Sequence, residues 1–348
     1  MKRTSTAGLA ALALILAACG GGEDGPATTQ PDGVSQTDES PSDSLVIYSG
    51  RSEDLVAPLI EQFEQSTGID AEVRYAGSGE LATTLIQEDD QSPADVFWSQ
   101  DPAFAGAVAM QGMFEPLPAD VLELVPARFS DGQGRWVGVT ARARVFIYNP
   151  DLVSEPPADI WALTGPDWNG KLGVAPTNGS FVAFVSSMIL AEGEGRTLDW
   201  LQGIAGNDPV IFDGNSPIVE AVDAGDVAAG LVNHYYLLQL ANEQGGATAV
   251  NHSFASGDPG ALVMSSGVGL LATADNREAG LEFIRFLLSA ESQTYFLDDI
   301  FEYPLIEGAG TPADQVPLED LPTLDIDPSE LATVVDQATT LIAEAGLT

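Results

Sequence analysis

Two adjacent tyrosines, Tyr235 and Tyr236, are the residues of this chain best placed to bind a ligand. They follow the stretch 228–233, which is typical of a buried strand, and a run of helix formers begins directly after them. In an open α/β sheet, ligands bind beyond the carboxyl ends of the strands, which is where this pattern puts both phenols. The alternative is an ordinary aromatic pair that anchors the start of a helix.

A second stretch, Thr177-Asn178-Gly179-Ser180, comes directly before a predicted helix. The free backbone N–H groups and the dipole at a helix start favour an anion. Asn and Ser are also preferred helix caps, so a plain N-cap explains the same residues.

Polar and apolar side chains alternate along much of the stretch from residue 142 through a strand predicted over 143–148. Arg142, Arg144 and Tyr148 share one face of this strand. Two arginines are expensive to bury unpaired, so they either support a binding site or pair with surface carboxylates.

The residue combinations that enzymes use are scarce. The histidines are His234 and His252, so a zinc site built on several histidines is unavailable. His234 is either a ligand beside the tyrosines or a helix cap. The sequence contains no Gly-x-Ser-x-Gly elbow and no Walker loop. We therefore expect a binding protein and not an enzyme.

Composition and the first residues indicate export. The chain has 348 residues with 52 acidic and 12 basic ones, and a net charge of −40 disfavours nucleic acid as a partner. Residues 1–18 resemble a signal peptide, whose apolar run is shorter than the roughly 20 residues that span a bilayer. Leu16-Ala17-Ala18-Cys19 resembles a bacterial lipobox, which predicts lipidation of Cys19 followed by a flexible acidic linker over 19–44.

Strands and helices alternate from residue 45 onwards, which predicts an α/β fold with two lobes. We expect the chain to cross between the lobes near residues 140 and 265. The range 329–347 predicts a final amphipathic helix.

The order of several motifs resembles the ferric-ion-binding proteins of bacterial ABC importers. The resemblance spans roughly residues 45 to 310, and the tyrosine pair is its most specific element. The motifs are Ile47-Tyr48-Ser49-Gly50-Arg51, Ala94-Asp95-Val96-Phe97, Arg142-Ala143-Arg144-Val145 through Tyr148-Asn149, Pro176-Thr177-Asn178-Gly179-Ser180, Val232-Asn233-His234-Tyr235-Tyr236 and Phe301-Glu302-Tyr303-Pro304.

This resemblance implies a two-lobed fold of the type II periplasmic-binding-protein kind. Each lobe has a mixed sheet flanked by helices, and the cleft between the lobes closes over Fe³⁺. The first lobe comprises 45–140 plus 265–310, and the second comprises 141–264 plus 311–348. Implied partners are the permease and ATPase subunits of an ABC importer. The protein is expected to act as a monomer, anchored by lipid on the extracytoplasmic face.

The resemblance also implies a site. The metal ligands would be Tyr148, Tyr235, Tyr236 and Glu53. A synergistic anion such as phosphate or carbonate would be held by Asn178, Gly179, Ser180, Asn215 and Asn233. Independently of the resemblance, the positive charge of Arg142 or Arg144 nearby would keep the phenols deprotonated.

The chain departs from the family pattern at two positions. Many members have a histidine where this chain has Ser52, and some have a glutamate where it has Gln100. These departures leave open a second function for the same fold, which is to bind a small organic solute or anion such as a phosphonate, thiamine or a polyamine.

Overall fold

The computed structural model describes residues 44–313 and 315–348. The predicted signal peptide and the lipidated Cys19 lie outside these residues, as does the predicted linker apart from Ser44. The described residues belong to one compact unit.

Strands and helices alternate along the chain, as the sequence predicts. The strands are β1 (Ser44–Ser49), β2 (Asp70–Tyr75), β3 (Val96–Ser99), β4 (Val137–Tyr148), β5 (Leu172–Val174), β6 (Val210–Ile211), β7 (Ala229–Asn233), β8 (Val250–His252), β9 (Val263–Leu270) and β10 (Tyr303–Pro304). The α-helices are α1 (Glu53–Thr67), α2 (Ser78–Glu88), α3 (Pro102–Met110), α4 (Ala119–Leu122), α5 (Gly179–Glu192), α6 (Glu194–Ala205), α7 (Asn215–Asp223), α8 (Tyr235–Gln244), α9 (Arg277–Leu287), α10 (Ala290–Tyr295) and α11 (Val335–Glu344).

The strands form one continuous mixed sheet in the order β2-β1-β3-β9-β4-β7-β5-β6, and β8 and β10 also pair with β4. β1 is parallel to both of its neighbours, and β7 is parallel to β5. β9 is antiparallel to β3 and β4, and β7 is antiparallel to β4. β4 therefore joins the two halves of the sheet.

Apolar periodicity explains the packing of the first half. Val56, Leu59, Ile60 and Phe63 recur with helical spacing on α1, and all four are buried in the same core as β1. The helix ends at Gly68, whose φ of 75° is a left-handed conformation that glycine adopts without strain.

The long strand β4 places its two ends in different surroundings. Its first part pairs with β9, and residues 144–148 pair with β7. The register with β9 shifts between Gly138 and Ala141. The chain thus passes between the two halves near residue 140, and again where β9 begins at Val263. The exact lobe boundaries stay a prediction.

The last predicted helix is corrected by the structure. A 3₁₀ helix over Pro328–Val334 precedes α11, so 329–347 is not one continuous α-helix. α11 packs on α5 through Ala338, Leu341 and Ile342. Within 44–313 and 315–348, no helix is both long and apolar enough to cross a membrane.

We expect Gly138→Ala to lower the free energy of unfolding by about 1–3 kcal/mol, because the added methyl group overpacks the strand crossing. A Cβ at this position would lie 2.7 Å from the backbone oxygen of Phe129 and 2.9 Å from Oγ of Ser265. Urea unfolding measures the change. Gly132→Ala is the control, since a Cβ there meets nothing within 4 Å. Equal midpoints for the two variants would contradict this account of β4.

Candidate functional site

The tyrosine pair, Tyr235 and Tyr236, begins α8 directly after β7 and His234. The two rings stack with their centroids 4.2 Å apart and their planes 30° from parallel. Both side chains are buried, with exposures of 0% and 6%. The hydroxyl of Tyr235 has no hydrogen-bond partner in the described part of the chain. A buried phenol without a partner is costly, so this hydroxyl is a candidate ligand atom.

The tyrosine pair lies in the field of a buried ionic cluster formed by Arg51, Arg142 and Glu302. Nη2 of Arg51 donates to Oε1 of Glu302 at 2.9 Å, and Nη2 of Arg142 donates to the same oxygen at 3.2 Å. All three side chains are almost fully buried. The charge of Arg51 acts on both phenols.

The carboxyl of Glu302 is ionised by its neighbours. Burial raises its pKa, but Arg142 and Arg51 lower it more, so that the pKa falls from 4.5 to about 2. Thr140 also donates a hydrogen bond to it. Phe301, the preceding residue, has a φ of 63°, and this uncommon left-handed turn leads the chain from the π-helix Phe296–Ile300 to Glu302.

Burial raises the pKa of Tyr235 well above its ordinary value, and the neighbouring Tyr236 raises it further. Arg51 and Arg142 lower this pKa, but by less. Tyr235 is therefore protonated at neutral pH when no ligand is bound, which corrects the prediction that Arg142 or Arg144 keeps this phenol deprotonated.

A polar cradle lies next to the tyrosine pair and consists of Asn178, Gly179, Ser180, Asn215 and Asn233. Asn178 caps α5 by accepting a hydrogen bond from the Ser180 backbone N–H at 3.0 Å. Nδ2 of Asn215 donates to Oδ1 of Asn178 at 3.3 Å, and Nδ2 of Asn233 donates to Oγ of Ser180 at 3.1 Å. The structure thus brings all five predicted anion-binding residues together.

Arg144 connects the polar cradle to the tyrosine pair. Its Nη1 donates to Oδ1 of Asn215 and of Asn233, each at 3.1 Å. Its other partner is the carbonyl of Leu231, at 2.8 Å. Burial lowers the pKa of Arg144 to about 10, against the opposing effect of the two phenols. A buried guanidinium with neutral partners has charge available for an anion.

Pockets open on both parts of the site. A pocket of about 1020 Å³ is lined by residues that include Ser78, Gln100, Asn178 and Gly179. A second pocket, of about 340 Å³, opens on Tyr236. Its acidic lining consists of Asp54, Glu220, Glu243 and Asp299.

The structure corrects the prediction that Tyr148 joins the pair as a third ligand. Tyr148 is opposite Ala229 at the start of β7, whereas Arg144 is opposite Asn233 at its end. Four residues of strand separate these positions by roughly 13 Å, and Tyr235 lies beyond Asn233. Both strands belong to one sheet, so lobe movement does not bring them together.

The fourth predicted metal ligand is Glu53. It is exposed at the start of α1, and its charge acts on Tyr75. The next residue, Asp54, lines the same pocket as Tyr236. A role for Glu53 as a metal ligand stays a prediction.

Sequence reasoning missed the roles of Arg51, Glu302 and Asp101. The first two lie within motifs that carry the family resemblance, but nothing in the sequence shows that they pair across 251 positions. Asp101 follows β3 and precedes a proline, which is the signal of a helix N-cap. In the residues that the structure describes, no cluster of three or more His, Cys, Asp or Glu side chains could hold a metal.

Comparison with known proteins identifies the class. The family model for bacterial extracellular solute-binding proteins matches residues 49–294. The crystal structure of iron-bound HitA from Pseudomonas aeruginosa superposes with a TM-score of 0.83 at 31% identity, covering 87% of this chain and 99% of that one. The protein is therefore a solute-binding protein with the two-lobed α/β fold of type II periplasmic binding proteins, as the sequence predicted. It is not an enzyme.

Relatives of similar length show which family of solute-binding proteins the chain belongs to. The Fe(3+)-binding periplasmic protein of Serratia marcescens is 33% identical over 317 residues, which cover 88% of this chain and 92% of the relative. The major ferric iron-binding protein of Neisseria meningitidis serogroup B is 29% identical over 316 residues, which cover 87% and 93%. The chain belongs to the ferric-ion-binding family of bacterial solute-binding proteins.

We expect Glu302→Gln to lower the free energy of unfolding by about 3–5 kcal/mol, since it leaves two buried guanidinium groups without their carboxylate. Urea unfolding near neutral pH measures this. Glu115→Gln removes the partner of the half-exposed Arg277 and should cost less than about 1 kcal/mol. Similar losses in the two variants would contradict the importance of the buried cluster.

The difference between wild type and Glu302→Gln should also depend on pH. The folded pKa of Glu302, about 2, lies below its ordinary value of 4.5, so its contribution to stability is complete above 4.5. The contribution is lost as pH falls from 4.5 towards 2, where the protonated carboxyl resembles glutamine in charge. Unfolding midpoints of both proteins across this range test the sign. If the difference in unfolding midpoint between the two proteins stays constant from pH 4.5 down to pH 2, the proposed pH dependence is contradicted.

Proposed function

We propose that this protein captures ferric iron through the phenolates of Tyr235 and Tyr236, together with a synergistic anion held in the polar cradle, and delivers it to an ABC importer. The observation that carries the proposal is the stacked, buried tyrosine pair with an unpartnered hydroxyl, connected through Arg144 to a helix start. The names of the Serratia and Neisseria relatives support ferric iron as the cargo.

The chemistry of the donors fits this cargo. Fe³⁺ is a hard cation, which anionic oxygen ligands suit better than thiolates. A bound cation offsets the cost of ionising a phenol, as bound metals do for other ligands. The acidic pocket beside Tyr236 attracts a cation to the pair.

Charge explains why an anion is needed. Arg51, Arg142 and Arg144 place three guanidinium groups near the pair, and Glu302 is the carboxylate that pairs with two of them. A trivalent cation would add to this positive charge. Two phenolates offset part of it, and phosphate or carbonate in the polar cradle offsets more.

Metal binding releases the proton of Tyr235, so affinity falls in acid. Release at the importer follows from opening of the two lobes. We further propose that the protein acts as a monomer, anchored to the membrane by a lipid on Cys19.

A second candidate function is the binding of a small anionic solute, such as a phosphonate, without metal. The buried guanidinium of Arg144, whose side-chain hydrogen-bond partners among the described residues are neutral oxygens, favours it. The same positive charge disfavours the cationic solutes thiamine and polyamines. Calorimetric titration of the anion into the metal-free protein, repeated with Fe³⁺ added, separates the two functions. The affinity of a pure anion carrier for its anion should not rise when iron is added.

We expect a visible phenolate-to-iron charge-transfer band when Fe³⁺ is added as a weak chelate in the presence of phosphate or bicarbonate. The double substitution Tyr235→Phe, Tyr236→Phe should abolish the band and stoichiometric iron retention, since both ligand oxygens are removed. Absorption spectroscopy with metal analysis measures both properties.

Tyr148→Phe is the matched control and should keep the band, because β4 holds Tyr148 far from the pair. A colourless wild-type protein would refute the iron proposal. A band that survives the double substitution would refute the assigned ligands.

A further inference from the structure

Asp101 has one carboxylate oxygen that the fold leaves without a partner. It caps α3, where Oδ1 accepts a hydrogen bond from the backbone N–H of Phe104 at 3.1 Å. The side chain is fully buried, and Oδ2 has no hydrogen-bond partner among the described residues. Helix capping therefore accounts for the burial of Oδ1 but not for that of Oδ2.

The free oxygen lies at the polar cradle. A Cβ added to Gly179, the first residue of α5, would be 2.4 Å from Oδ2 of Asp101. The adjacent Gln100 donates from Nε2 to Oγ of Ser180 at 3.2 Å. The charge of Arg142 also acts on the carboxyl of Asp101. Oδ2 of Asp101 is therefore a hydrogen-bond acceptor beside the polar cradle, where the start of α5 would offer donors to an anion.

We propose that Oδ2 of Asp101 accepts a hydrogen bond from a hydroxyl of the bound anion, so that the cradle selects anions that carry a proton over anions that do not. This inference rests on the anion site of the proposed function and not on the metal. Hydrogen phosphate and hydrogencarbonate have such a hydroxyl near neutral pH. Sulfate has the same shape as phosphate but offers only acceptor oxygens, which the carboxylate repels.

The electrostatic state of Asp101 agrees with this role. Burial raises its pKa to about 7, against the lowering effects of the Phe104 and Ala103 N–H groups and of Arg142. A donor from the ligand would stabilise the carboxylate in place of water.

The test is calorimetric titration of the metal-free protein with inorganic phosphate and with sulfate, at a pH above neutrality where Asp101 is ionised. Wild type should bind phosphate at least about tenfold more tightly than sulfate, because sulfate leaves the buried acceptor unmet. Asp101→Asn should bring the two affinities to within about threefold, since the amide can donate to sulfate.

The variants are chosen to keep the fold. Asparagine and serine are N-caps comparable to aspartate, so Asp101→Asn and Asp101→Ser both retain the start of α3. Asp159→Asn makes the same change at the cap of the 3₁₀ helix Ile160–Thr164 and should leave the preference unchanged. If Asp101→Asn fails to fold, Asp101→Ser serves as the test variant. It should likewise lose the preference for phosphate over sulfate.

Three results would overturn the inference: equal affinities in wild type, a full preference retained in the Asp101 variants, or no binding of either anion. A repeat with added Fe³⁺ separates this inference from the metal proposal. A preference for phosphate over sulfate without any charge-transfer band would contradict the metal proposal and leave the role of Asp101 intact. A band with no discrimination between phosphate and sulfate would sink the role of Asp101 alone.

Discussion

The buried positive charge of Arg51, Arg142 and Arg144 is the constraint on which the rest of the site depends. Glu302 pairs with the first two arginines, and its pKa of about 2 shows how strongly they hold it ionised. Among the described residues, the side-chain hydrogen bonds of Arg144 go to neutral oxygens. Charge of one sign is costly in a low-dielectric interior unless a counter-charge arrives. The phenols and the polar cradle are the groups through which that counter-charge can enter.

The sheet explains why these groups meet. Alternation along β4 places Arg142 and Arg144 on one face, and the antiparallel register with β7 puts Asn233 opposite Arg144. The end of β7 then delivers the tyrosine pair two residues further on. The capped start of α5 supplies Ser180, which accepts from Asn233. Two adjacent strands and one helix start thus assemble most of the site, with the ionic cluster added by Arg51 and by the turn at Phe301.

The sequence predicted the parts of the site that depend on local patterns. Helical and strand periodicity located most of the elements. The family resemblance singled out the tyrosine pair and the five cradle residues, which lie together in the structure, while their binding roles stay a prediction. The resemblance also assigned Tyr148 as a third ligand, but it does not show the register of β4 with β7, which places Tyr148 opposite Ala229 at the other end of β7 from the tyrosine pair. It also failed to assign Glu302, whose arginine partners lie 251 and 160 positions away. The final helix was misjudged because the 3₁₀ segment before α11 also buries apolar side chains such as Leu331.

In the proposed function, metal and anion are coupled by charge. Tyr235 is protonated when no ligand is bound, so a cation that arrives alone would meet a net positive cluster and a neutral Tyr235. In this proposal, an anion that binds first would lie beside Arg144 and reduce the repulsion of a metal that follows it. The anion also needs a place for its own proton, and the free oxygen of Asp101 provides an acceptor at the start of α5. The same arginines that oppose a bare cation would therefore favour a metal–anion pair as the proposed cargo.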